Sequence, residues 1–396
     1  MEISLKNSRP PFSAGVAALL VAALPLAAQS PDLLKQIAHP PLQHNVTRDA
    51  ADAATLGYGP VSLRAAYSIG DIGVPDQGSG QTIALVDAYG DPTAEADLAT
   101  FSTKFGLPPC ATANGCFKLV YAGGAEPPAD TSGWSNETAI DTQWAHAMAP
   151  AAAIMLVEAQ SNSLKDLLAA VDTAVQHGAT VVSMSWIGSE GPSESQADTH
   201  FNVTGVTFVA ASGDDGHGVG YPAASPFVVA VGGTVLAVNT NGSWASETAW
   251  SGSGGGASQF ETEPSYQTGV QTTGKRSVPD VAYDGDPSTG VPSYNSNACG
   301  ACLTGWTQWG GTSIGTPQWA ALFAIANSLR VKAGKTTLTQ PQFVLYPAGE
   351  AGYHDITSGS NGACGSQCQA GPGYDFVTGL GSPIGRALIA KLVESQ

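Results

Sequence analysis

Glu137 and Asp141 stand four residues apart in Glu137-Thr138-Ala139-Ile140-Asp141. On a helix that spacing stacks two carboxylates on one face, about 6 Å apart. Like charges so close are unfavourable unless the pair shares a proton, grips a cation or serves chemistry. The flanking Trp144, Ala145, Ala147, Met148 and Ala149 point to a substantially buried helix; an exposed acidic first turn, favoured by the helix dipole, is the plainer alternative. Ser313 lies in Gly310-Gly311-Thr312-Ser313-Ile314-Gly315-Thr316-Pro317, between glycines at the mouth of an apolar helix. Backbone amides and the dipole there stabilise a developing oxyanion, although a lone serine in that setting reads first as an N-cap. In Phe208-Val209-Ala210-Ala211-Ser212-Gly213-Asp214-Asp215-Gly216 a strand runs into a glycine turn with acids at its carboxyl end, the edge where sites form in open α/β sheets. An Asx-turn finishing the strand is the alternative for Asp214.

Two further groups carry weaker signals. Asp355-Ile356 and Gly371-Pro372-Gly373-Tyr374-Asp375 offer two carboxylates and bent-backbone carbonyls, which suit calcium with its demand for about six to eight oxygens; two turn aspartates with no ion are the competing reading. Ser185-Trp186-Ile187-Gly188 and Ser253-Gly254-Gly255-Gly256 can present backbone edges to an extended peptide, or can be flexible glycine loops. Ser185, Trp186, Gly188, Ser253, Gly254 and Gly255 are the candidates there. Trp306 and Trp309 either line pockets near the serine or pack in the core.

The elements that must position these residues alternate. Strand-like runs at 82–86, 117–121, 153–157, 180–186 and 206–211 are interleaved with helical stretches at 94–104, 136–149, 164–177 and 193–201. Near-continuous apolar strands alternating with helices predict a mainly parallel sheet covered on both faces. After 227–238 the chain is rich in Gly, Ser and Trp up to Trp309, with much turn chemistry. A long apolar helix is expected over 313–331 and a closing helix over 384–394.

With no internal repeat and no linker after residue 54, one domain over 55–396 is the simplest division. Residues 31–54 read as a short leader or linker. Residues 1–30 read as an export signal: Lys6 and Arg9, an apolar centre too short to span a bilayer comfortably, then small residues for cleavage. The mature chain is expected to be secreted, extracellular or periplasmic, and not membrane-bound. Acidic residues outnumber basic ones 32 to 15, a net charge of −17, so a phosphate backbone would be repelled and nucleic acid is excluded as a partner. Only 12% of residues are charged, a composition that limits cationic self-repulsion in acid but equally fits an ordinary acidic secreted protein. Six cysteines fall as close pairs, Cys110 with Cys116, Cys299 with Cys302, and Cys364 with Cys368. An oxidising compartment favours local disulfides, although the sequence does not choose among connectivities.

Taken together, Glu137-x-x-x-Asp141 followed by Trp144-Ala145-His146-Ala147-Met148-Ala149-Pro150, then Ser212-Gly213-Asp214, and Gly311-Thr312-Ser313 with Pro317 resemble the sedolisins, serine-carboxyl peptidases with a subtilisin-like fold and an acidic working pH. The resemblance covers residues 55–396. It implies an α/β, subtilisin-like fold and a monomer acting on polypeptides. It also implies Ser313 as nucleophile, Glu137 as general base, Asp141 as the residue orienting that base, and Asp214 as the oxyanion partner. By the same resemblance one structural calcium ion is held by Asp355, the carbonyls of Ile356, Gly371 and Gly373, and Asp375. Sedolisins usually carry a large folded prosegment, whereas about 25 residues separate the export signal from the body here, so a separate prosegment or inhibitor is a candidate partner.

These roles agree with elementary acid–base chemistry. A histidine base of pKa about 6.5 is protonated in acid, whereas a glutamate of about 4.3 still accepts a proton there. Asp214 has to be protonated to donate to an oxyanion, and burial favours that. A subtilisin-type peptidase with another base is the nearest rival, since Val86-Asp87-Ala88-Tyr89-Gly90 resembles the strand end carrying the subtilisin aspartate. No His-Gly-x-x-Val-Ala-Gly segment accompanies it. Asp87 is then expected to be a strand-end hydrogen-bond acceptor or a substrate-side residue, and His146 to be structural. A catalytically silent secreted binding protein on the same fold is the alternative from a different class.

Overall fold

A computed structural model describes residues 32–50, 56–70 and 76–395; the export signal read over residues 1–30 lies outside them. Eight strands form one sheet: β2 (Thr82–Ala88), β3 (Phe117–Tyr121), β4 (Ala153–Ala159), β5 (Val181–Met184), β6 (Thr207–Ala211), β7 (Val228–Val238), β8 (Trp244–Ala249) and β9 (Val281–Asp284). Their order is β8-β7-β6-β5-β2-β4-β3, with β9 also pairing β7. All pairings are parallel except β8 against β7. The expected α/β, subtilisin-like architecture with a mainly parallel sheet is therefore present.

Burial on both faces explains the unbroken apolar strands. In β2, Ile83 and Leu85 enter the core on one side of the sheet while Ala84 and Val86 enter the core on the other. One face is covered by α1 (Ala94–Phe105), α2 (Trp134–Met148), α4 (Thr312–Lys332) and α5 (Gly385–Glu394), and the other by α3 (Leu164–Gln176). Helix α2 is buried along its whole length and α4 over most of it, which is why neither shows a clean amphipathic stripe. Close approach of α4 to the sheet requires Gly315, where a Cβ would lie 2.7 Å from Cβ of Tyr283 and 2.9 Å from Val231.

The helix expected over 193–201 shortens to Glu194–Ala197 with a 3-10 turn at Asp198–His200. The Glu194 carboxylate is drawn back to accept from the Gly191 amide at 2.8 Å, and the Tyr221 hydroxyl donates to Asp198 at 3.2 Å. The three local disulfides form as expected. The segment before the body is seated on it: β1 (Gln43–Ala50) pairs antiparallel with β11 (Gly305–Gly310), which also pairs with β10 (Val291–Asn295). Among the described residues no helix is long and apolar enough to cross a membrane.

Candidate active site

The strands β2, β5 and β6 end at one edge of the sheet, and their carboxyl ends deliver Asp87, Ser185 and Asp214 to the region where α2 and α4 meet. From α2, one face carries Glu137 and Asp141, both with no solvent exposure. From α4, the first turn carries Ser313, also fully buried. Gly311 turns β11 into α4 at φ 117°, and a Cβ there would collide with both the Pro41 carbonyl oxygen and Asp214 Oδ2. Pro317 lacks the amide that would bond the Ser313 carbonyl in a regular helix; the freed carbonyl lies 3.4 Å from Ser185 Oγ instead.

Ser185 Oγ donates to Asp141 Oδ1 at 2.7 Å. Asp141 Oδ2, both Glu137 oxygens and Ser313 Oγ are buried, with no hydrogen bond spent elsewhere among the described residues. Burial pushes the Glu137 pKa well up, and the neighbouring Asp141 and Asp87 raise it further, while the Ser313 hydroxyl acts against the rise. Asp141 is raised by burial and held down by Ser185. Both shifts favour the protonated forms of the two carboxyls.

Asp214 is half-buried, with its Oδ2 enclosed. Its Oδ1 accepts from the Thr312 amide at 2.8 Å and the Thr312 hydroxyl at 3.0 Å, which leaves Oδ2 as the oxygen able to carry a proton. Burial pushes its pKa up to about 7, against the lowering effect of those Thr312 bonds.

Asp87 departs from expectation. It is fully buried and neither oxygen is hydrogen-bonded among the described residues, so it is neither a strand-end acceptor nor substrate-facing. Burial and then the charges of Asp141, Glu158 and Asp91 raise its pKa well above the ordinary range. The signal for it was a lone carboxylate inside an otherwise apolar strand. His146 is structural as expected: it is buried, its Nε2 bonds the Pro108 carbonyl at 2.8 Å, and burial lowers its pKa. Ser185, read only as a backbone edge, instead uses its side chain inside the carboxylate chain.

The two glycine-rich edges differ. Ile187 exchanges its amide and carbonyl hydrogen bonds with His39, and Gly188 pairs with Tyr221. Trp186 is buried, with its indole N–H donating to the Val86 carbonyl at 3.0 Å. Ser253 is turned inward: its Oγ donates to the Val377 carbonyl, and its own carbonyl accepts from Asn361. The Gly254 amide donates to the Gly213 carbonyl, and the Gly255 carbonyl accepts from the Gly218 amide. A cleft of about 180 Å³ opens beside Asp214 between Ile187-Gly188 and Gly254. Trp309 is in the core, and Trp306 packs among Phe101, Phe105 and Tyr294 rather than lining this cleft.

The second candidate region also assembles. Asp355 Oδ2 accepts from the Gly373 amide and Asp375 Oδ2 from the Gly371 amide, each at 3.0 Å. Both carboxylates thus reach the same turn; Asp375 Oδ1 also accepts from the Val377 and Thr378 amides, each at 2.8 Å, and two carboxylates are the oxygen ligands that suit a hard cation.

Residues 131–342, more than half of the chain, match the subtilase family. Kumamolisin of Bacillus sp. (strain MN-32) is 34% identical over 380 residues, covering 87% of this chain and 65% of that protein. Sedolisin of Pseudomonas sp. (strain 101) is 33% identical over 235 residues, covering 51% of this chain and 38% of that protein. The chain thus spans less than two thirds of the length of these relatives. Among solved structures, Pseudomonas sedolisin, a serine-carboxyl proteinase complexed with two molecules of pseudo-iodotyrostatin, superposes with a TM-score of 0.71 at 28% identity, covering 85% of this chain and 97% of that one. The chain belongs to the subtilase family and groups there with the sedolisins.

Proposed function

We propose that this chain is a secreted, acid-acting serine endopeptidase that hydrolyses polypeptides through an acyl-enzyme. The observation that carries this reading is the convergence of Ser313 with the buried carboxyls of Glu137 and Asp141 on one side and, on the other, Asp214 Oδ2, which has no hydrogen-bond partner among the described residues.

In the proposed reaction Ser313 Oγ attacks the substrate carbonyl carbon while Glu137 takes the hydroxyl proton. Asp141, its Oδ1 fixed by Ser185, keeps its own proton directed along the pair and so favours the ionised form of Glu137. The tetrahedral oxyanion receives hydrogen bonds from the Ser313 amide and from protonated Asp214. Glu137 returns its proton to the leaving amine as the C–N bond breaks, and a water deprotonated by Glu137 then hydrolyses the ester. Carboxyl groups fill the roles that need both a base and an acid below neutrality.

Asp355, Asp375 and the carbonyls of Ile356, Gly371 and Gly373 would hold one calcium ion. Its contribution is structural: it would tie the 371–375 turn to the 355–356 segment, away from the reacting atoms. The protein is proposed to act as a monomer, without nucleic acid or membrane partners in its mature form.

A peptide aldehyde tests the site directly, because it adds reversibly to an activated serine. Reduction-free intact mass spectrometry at acid pH should show one adduct in the parent chain and none in Ser313→Ala or Glu137→Gln; an equal adduct in all three would sink the assignment.

A further inference from the structure

Much of the cleft beside Asp214 is walled by backbone, with Gly213, Gly216, Gly220 and Gly254 in its lining. Of the larger side chains around it, His217 and Val219 lean on Gly256, where a Cβ would come within 3.1 Å of His217 Cε1 and 3.4 Å of Val219 Cγ2. The half-buried Ile187 behaves differently. Its Cδ1 would stand 3.1 Å from a Cβ on Gly213, and its Cδ1 and Cγ1 would collide with a Cβ on Gly220. The isoleucine side chain therefore spans the cleft and rests on glycine backbone at the opposite wall. That wall is pinned by the pairing of Gly188 with Tyr221 and of Ser189 with Gly220, so it does not swing aside as a side chain would.

The side chain that meets this obstruction belongs to the residue whose carbonyl is attacked. With its oxygen between the Ser313 amide and Asp214 Oδ2, that carbonyl carbon is one bond from its own Cα, beside the wall formed by Ser212, Gly213 and Asp214. The strand edge at Ile187 leads to the same residue. Its amide and carbonyl exchange bonds with an antiparallel partner, His39 in this structure. In such a pair the side chain of Ile187 shares a face with that of the residue opposite and with that of the residue two positions further on. Two positions further on faces Ser185, whose Oγ lies 3.4 Å from the Ser313 carbonyl. The side chain next to the attacked carbonyl is thus a diagonal cross-strand neighbour of Ile187, within reach of a long or aromatic group.

We propose that Ile187 is the specificity-determining residue of this cleft: its side chain closes the far end, so the residue supplying the scissile carbonyl is a small aliphatic one, alanine above all, and an aromatic ring is turned away. It rests on the reading of Ser313 as the nucleophile. A ring entering the cleft has to displace Cδ1 of Ile187 from Gly213 and Gly220. The obstruction is one side chain on a fixed wall, so shortening it opens the cleft without rebuilding it. One methylene in an apolar pocket discriminates by about tenfold or more; Ile187→Ala removes every carbon beyond Cβ and should shift the preference toward rings by at least that factor.

The test uses the full chain and a ratio, in which any competition for the groove cancels. In the Ser313→Ala background at acid pH, two fluorescent peptides alike except for a final Ala or Phe are titrated against the parent, Ile187→Ala and Ile187→Val, each checked for the parent's far-ultraviolet circular dichroism. The parent should bind the Ala-ended peptide about threefold tighter or more, and the affinity for Phe relative to Ala should rise about tenfold or more in Ile187→Ala. Ile187→Val, the milder change, should move it the same way by less. A parent preference for Phe, a ratio unchanged in both variants, or no binding of either peptide overturns the proposal. With Ser313 intact, kcat/KM for substrates carrying Ala or Phe before the cut bond should shift in the same direction. A shifted binding ratio without Ser313-dependent hydrolysis of either substrate would contradict the peptidase reading while supporting the role of Ile187 in the cleft.

Discussion

Ser185 Oγ reaches Asp141 Oδ1 at 2.7 Å across 44 residues of sequence, and among the described residues its only other near partner is the Ser313 carbonyl that Pro317 leaves free. One hydroxyl therefore touches both the helix carrying the carboxyl pair and the helix carrying the serine. Ser185→Ala removes a bond that favours the charged form of the pair, so the acid limb of the pH–kcat profile should move to higher pH by about one unit, with kcat down about tenfold. Ser185→Thr should restore the limb; a profile unchanged in Ser185→Ala would remove Ser185 from the carboxylate chain.

Asp214 sets the other limb. With its pKa pushed up to about 7, the oxyanion donor is present below neutrality and lost as pH rises through that value. Asp214→Asn keeps a donor that does not titrate, so its alkaline limb should shift upward or vanish, measured on a peptide substrate between pH 4 and 9. Asp214→Ala should lower kcat by about a hundredfold or more. An alkaline limb that is the same in Asp214→Asn as in the parent would contradict the role.

The same burial makes stability depend on pH in an unusual direction. Asp91 is pushed up to about 6, and Glu158 and Asp214 to about 7, chiefly by burial. Carboxyls raised in the folded state contribute stability that is complete below the unfolded pKa of about 4 and is lost as pH rises through the folded values. His146 and His354, lowered by burial, pull the other way, but they are two groups against a larger set of acids. The melting temperature should fall by roughly 5 to 10 °C between pH 4 and pH 8; a rise over that interval, seen by calorimetry, would show that these acids are ionised in the folded state.

If the turn at 371–375 holds calcium with Asp355 and Asp375, adding EGTA should lower the melting temperature by about 5 °C or more, and Asp355→Asn should do the same without chelator. Initial rates at 25 °C should change less than twofold, because the site is structural. A melting curve indifferent to EGTA would contradict the calcium assignment.

What was legible in the sequence was whatever is written in local spacing. Glu137 and Asp141 were found because four residues is one helical step, Ser313 because glycines and an apolar helix surround it, and the sheet because its strands, buried on both faces, carry unbroken apolar runs. Ser185 as a side-chain partner was not legible, since its link to Asp141 exists only after β5 and α2 meet. The seating of residues 36–39 was hidden for a related reason: it rests on backbone bonds from Gln36, Ala38 and His39, which leave no periodic pattern. Asp87 was visible as an acid in an apolar strand, but its burial behind Asp141 required the fold.

The central claim is that a carboxylate pair activates Ser313 in acid, and the most direct measurement is the pH dependence of hydrolysis of an unfolded polypeptide by the parent and by Ser313→Ala. The account predicts turnover that peaks below neutrality, near about pH 3 to 5, and is abolished by Ser313→Ala. A neutral or alkaline optimum, or the absence of Ser313-dependent turnover at every pH, would contradict it.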